Sequence, residues 1–69
     1  MINEILAKLP ETLRYRLERE AHSGYGFAIC FNYICGVLAA SLDFGVISFG
    51  ECEILRDHYI AILKGGNAQ

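Results

Sequence analysis

Ser41-Leu42-Asp43-Phe44-Gly45-Val46-Ile47-Ser48-Phe49-Gly50-Glu51 is the stretch that decides how this chain folds. Gly45 supplies the left-handed residue that commonly closes a helix. Just beyond it, Ser48-Phe49-Gly50-Glu51 fits a capping box, in which the serine oxygen accepts one free backbone N–H and the glutamate reaches back to another. One helix therefore ends and another begins within a few residues, and Val46-Ile47 alone is too short for a paired strand. The pattern predicts an all-α fold built on an antiparallel helical hairpin.

Outward from that turn, the C-terminal helix is expected over residues 48–64. Lys64 suits the negative end of its dipole, Gly65-Gly66 stops it, and residues 65–69 read as a loose tail. On the other side a long central helix is expected over residues 10–44. Pro10 suits its first position and Glu11 complements the positive end of the dipole. Gly24 and Gly26 weaken its middle by roughly 1 kcal/mol each relative to alanine, which makes a kink or break near Ser23 the competing reading. Residues 1–9 form a short helical turn, with Asn3 as N-cap of Glu4 to Lys8 and the Leu9-Pro10 step as its end. The whole chain, 1–69, is one helical domain without internal repeat or linker.

The faces of these helices carry more information. Stepping about 100° per residue, Leu13, Leu17, Ala21, Gly24, Ala28, Phe31, Cys35, Leu38 and Leu42 fall on one stripe of the central helix, the expected core face. The C-terminal helix offers Phe49, Cys52, Leu55, Tyr59, Ile62 and Leu63 in return, with Glu51, Glu53, Asp57 and His58 pointing away. A second apolar stripe lies on the back of the central helix: Gly26, Ile29, Cys30, Tyr33, Val37, Ala40 and Phe44. One short helix cannot cover both sides, so the second stripe is the expected homodimer interface. Gly26, Gly36 and Ala40 on or beside it allow a partner helix to approach closely. The alternative cover is the N-terminal turn, through Ile5, Leu6 and Leu9.

Composition bounds the rest. The chain has 69 residues and a mass of 7.7 kDa, so it buries only about 60% of its unfolded surface and gains from association. Hydrophobic residues make up 54% and charged residues 20%, too apolar a mixture for disorder. A net charge of -2 lacks the basic excess that attracts nucleic acid. No Asp, Glu, Lys or Arg occurs from Ala21 to Leu42, a run long enough for a single membrane span. Against that alternative, Asn32, Ser41 and several glycines lower its hydrophobicity, and the leucine stripe continues in register from the charged half. Met1-Ile2-Asn3-Glu4 lacks the charged start of a signal peptide, and three cysteines cannot all pair within the chain. Reduced thiols and a cytoplasmic location are therefore expected.

Chemical constellations are sparse. Cys30 and Cys35 lie about 140° apart around a helix, unlike the short-spaced ligands of structural zinc, and read as core thiols. Asp57 and His58 are sequence neighbours that do not face each other, and no nucleophile accompanies them. Gly24-Tyr25-Gly26 lacks the spacing of a phosphate loop. Neither catalysis nor a cofactor or metal is expected. Ser41 to Ser48 faintly suggests a helix-turn-helix, but Glu51, Glu53 and Asp57 on the would-be reading helix repel phosphates, leaving this a weakly supported alternative. The charged half of the central helix alternates arginines with glutamates on a solvated face. Tyr15, Arg19, His22 and Tyr25 there form the candidate surface for a protein partner, with the tyrosines as anchors.

Leu9-Pro10-Glu11, Arg14, Arg19-Glu20, Gly24-Tyr25, Gly36-Val37-Leu38, Gly45-Val46-Ile47-Ser48 and Glu51 together resemble the small helical accessory proteins encoded in the early regions of lambdoid bacteriophages and prophages. The resemblance implies a non-catalytic protein of the bacterial cytoplasm. Such a protein modulates phage development or a host system by contacting an unidentified host or phage protein.

Overall fold

Four helices follow one another in a computed structural model that describes residues 1–67: α1 (Ile2–Leu6), α2 (Glu11–Ala21), α3 (Phe27–Asp43) and α4 (Phe49–Asn67). The fold is all-α, and α3 and α4 pack against each other as the two arms of a helical hairpin. The turn between them closes as its residues dictate. Gly45 has φ +74°, its N–H donates to the Leu42 carbonyl, and the Val46 N–H donates to the Ser41 carbonyl at 2.9 Å, the two bonds of a Schellman motif. The capping box follows: the Glu51 N–H donates to Ser48 Oγ at 3.2 Å, and the Ser48 N–H donates to Glu51 Oε1 at 2.9 Å.

The single helix expected over residues 10–44 is instead two helices. Gly24 at φ +81° and Gly26 at φ +106° adopt backbone conformations that L side chains rarely reach, and they turn the chain between α2 and α3. Ser23 secures the corner. Its hydroxyl donates to the Glu20 carbonyl at 3.0 Å, lies 3.2 Å from Cys30 Sγ on α3, and accepts the Tyr25 N–H at 3.5 Å. Two boundaries also differ from expectation. α1 begins at Ile2, so Asn3 lies inside it and caps nothing, because packing of Ile5 and Leu9 into the core draws the helix two residues earlier. α4 continues through Gly65 to Asn67, where the expected tail lay, since propagating an established helix adds one hydrogen bond for each residue fixed. Positions 68 and 69 of that tail lie outside the described residues.

The corner resets which face of α3 is buried. Leu17 and Ala21 of α2 are in the core as expected, but α3 turns inward Cys30, Ile34, Leu38 and Ser41, spaced four, four and three residues apart. Gly24 and Ala28, expected inside, are exposed. From α4 come Leu55, Tyr59 and Leu63, and from the connections Leu9 and Ile47. Phe49, the first residue of α4, is 66% exposed rather than inside. α1 packs on α4 and buries Ile5, which leaves the outer stripe of α3 without cover from the N-terminal turn.

Candidate interaction surfaces

α3 owes its outward apolar face to a sequence without a charged residue from Phe27 to Leu42, half of which must point away from α4. Ile29 is 61% exposed and Phe44 85%, with Tyr33 and Ala40 also at the surface and Val37 half-buried. Leu13 of α2 and Val46 of the turn form walls beside them. With Tyr33, Val37, Ala40 and Phe44, and with Asn32, Gly36 and Ser41, these walls enclose an open groove of about 540 Å³ that is almost wholly apolar. The Ser41 hydroxyl in the groove donates to the Val37 carbonyl at 2.9 Å, so its polarity is already satisfied.

Of the residues expected at a dimer interface, Ile29, Tyr33, Val37, Ala40 and Phe44 lie on this face. Gly26 sits at the corner, half-buried. Cys30 belongs to the core, 1% exposed, because the turn at Gly24 to Gly26 rotates it inward against Ser23.

A second groove, of about 680 Å³, adjoins the first. It is lined by Arg16, Arg19, Glu20 and His22 of the α2 C-terminal end, by Ser23 and Tyr25 of the corner, and by Tyr33, which also lines the apolar groove. His22 Nε2 lies 3.1 Å from Glu18 Oε1, with both side chains well exposed. Among the described residues neither Arg16 nor Arg19 forms an ion pair. The structure thus brings together Arg19, His22 and Tyr25, three of the four residues expected to meet a protein partner. Tyr15 lies apart, in a shallower groove with Leu6, Glu11, Arg14, Glu18 and Tyr59. Arg16 and Tyr33 were missing from the expected partner surface. Arg16 was legible, being three residues before Arg19 on one helix face, whereas Tyr33 joins only through the packing of α3 on α2.

Burial pushes the Cys35 thiol up, against the lowering effect of Arg56 and with a further rise from Cys52, the opposite of what a thiolate nucleophile needs. The Tyr59 phenol is pushed up to about 12 by burial, with Glu18 adding to the rise. Cys30, Cys35 and Cys52 are all free thiols. Among the described residues no three of His, Cys, Asp and Glu converge so as to hold a metal ion.

The uncharged run from Ala21 to Leu42 is divided by the corner at Gly24 to Gly26, and no helix among the described residues is long and apolar enough to cross a membrane. Comparison with protein-family models, with curated proteins and with solved structures gave no match.

Proposed function

We propose that this chain is a non-catalytic protein-interaction module that pairs with a second copy of itself through the outward face of α3. The observation that carries the reading is the apolar groove between Leu13, Tyr33, Val37, Ala40, Phe44 and Val46, with Phe44 85% exposed beside it. Leaving such a face in water forgoes about 25 cal/mol for each Å² of apolar surface, and small chains commonly recover that by association. In keeping with the resemblance to phage accessory proteins, the proposed role is to modulate phage development or a host system by contact with a protein of the bacterial cytoplasm. That partner would meet the polar sides of α2, at Tyr15 on one flank and at Arg19, His22 and Tyr25 on the other.

Sedimentation equilibrium at micromolar concentration tests the self-association: a dimer is expected, and a well-behaved monomer overturns it. Capture from bacterial lysate tests the partner surface. Alanine at both Tyr15 and Tyr25 should leave helical circular dichroism intact and weaken retention of a specific protein. Salt-dependent binding to duplex DNA, lost when Arg14, Arg16 and Arg19 are neutralised, would overturn the protein-contact reading.

A further inference from the structure

The outward face of α3 differs chemically at its two ends. Near its start, Tyr33 leads from the apolar groove into the groove of Arg16, Arg19 and Tyr25. Its other end carries Asp43 and Phe44, both exposed. Among the described residues Asp43, like the two arginines, forms no ion pair. Size is also distributed along the face. Ile29 and Tyr33 are large, Gly36 and Ala40 are small, and Phe44 is large again. Nothing lies within 4 Å of the place a Gly36 Cβ would occupy, so the middle of the face is open to close approach.

Resting on the self-association proposed above, we propose that two copies pair their α3 helices antiparallel, about a twofold axis near Gly36 and Val37. Asp43 and Phe44 of each copy then enter the arginine–tyrosine groove of the other. This arrangement sets Tyr33 of one copy opposite Ala40 of the second, Val37 opposite Gly36, and Ile29 opposite Phe44, so large side chains meet small ones through the middle of the contact. Parallel pairing would instead bring Asp43 to Asp43 and gather the arginines of both copies at one end, like charge against like. Glu20 is the one carboxylate lining the groove, against Arg16 and Arg19, and His22 is already held by Glu18; the balance favours an incoming aspartate.

Area agrees with charge. Tyr25, Ile29, Tyr33 and Phe44 are the exposed large apolar residues of α3 and its two flanking turns. At roughly 125 Å² from each of the four, contributed twice by the symmetry, they place about 1,000 Å² in the contact, where specific interfaces begin. The contact is isologous, so it closes at two copies without growing further. The arrangement narrows the partner surface proposed above to the flank bearing Tyr15, since Arg19 and Tyr25 then serve the dimer.

Charge reversal read by sedimentation equilibrium tests the arrangement, with circular dichroism as the check on folding. Asp43→Arg and Arg19→Asp should each raise the dimer dissociation constant about tenfold or more, because every pair occurs twice, and the double variant should return it to about the wild-type value. As an independent probe of direction, mild oxidation should link Gly36→Cys to itself across the axis beyond the wild-type background, and should not link Phe44→Cys to itself. A wild-type dimer indifferent to both charge reversals, or a covalent dimer of Phe44→Cys, overturns the antiparallel arrangement while self-association stands. A wild-type monomer overturns both and leaves the groove to a different protein.

Discussion

Lys8 and Glu51 tie the two ends of the fold together: the Lys8 ammonium pairs with Oε2 of the carboxylate whose Oε1 accepts the Ser48 N–H at the start of α4. One side chain thus caps a helix and anchors the segment that follows α1. The two groups are 43 positions apart in sequence. Glu51, expected to point away from the protein, is half-buried as a result.

That double use makes stability depend on acid in a defined direction. The Lys8 hydrogen bond first, and the Ser48 N–H second, hold the Glu51 carboxyl below its ordinary value of 4.5. Unfolding removes both partners and lets the group return to that value, so between the two values the unfolded chain binds more protons. The stabilisation is complete above 4.5 and is lost as the pH falls through the lower folded value. Thermal melts of wild type and Glu51→Gln should differ at neutral pH and converge in acid. A gap that stays constant with pH would show that the carboxylate pairings contribute nothing.

Gly26→Ala distinguishes a corner from a helix interior. Within a continuous helix the change would stabilise by roughly 1 kcal/mol. At φ +106° the methyl group meets no neighbour but forces an unfavourable backbone, and the expected cost is about 1 kcal/mol or more. For a chain of this size that lowers Tm by several degrees, and a rise in Tm would refute the corner.

The reset face of α3 has its own signature. Ile34 is fully buried and Ala28 exposed, although the helical phase carried over from α2 places Ala28 inside. Ile34→Ala should cost about 2–5 kcal/mol, enough to unfold much of so small a domain, and Ile34→Val about 0.5–1.5 kcal/mol. Ala28→Gln should stay within about 0.5 kcal/mol of wild type in a urea titration. The reverse order of sensitivity would restore the continuous stripe.

Charges placed to suit the helix dipole separate association from folding. Phe44→Lys adds a cation at the C-terminal end of α3 and Ile29→Glu an anion in its first turn, so neither should weaken the helix itself. Both should abolish the dimer in sedimentation while helical circular dichroism is retained. Lys64→Gln, on α4 and away from the α3 face, should leave the dimer unchanged. Dimers that survive both charges would place the contact elsewhere.

The amino-acid sequence by itself determined the punctuation of this protein. Pro10, Gly45, and Ser48 with Glu51 act through hydrogen bonds and dihedral limits spanning four to six residues, and each performs its expected role within one position. The apolar excess on both sides of residues 27–44 was equally legible, because composition needs no partner to be read. Tertiary structure decided the phase of that segment. Two dihedral-permissive glycines leave the angle between α2 and α3 undetermined locally, and packing of Leu17, Ile34, Leu38, Leu55 and Tyr59 selects it. That selection sent Cys30 inward and separated Tyr15 from the groove of Arg19, His22 and Tyr25. The Lys8–Glu51 pair belongs with these, since a charge contact across most of the chain exists only once the core has brought α1 to the foot of α4.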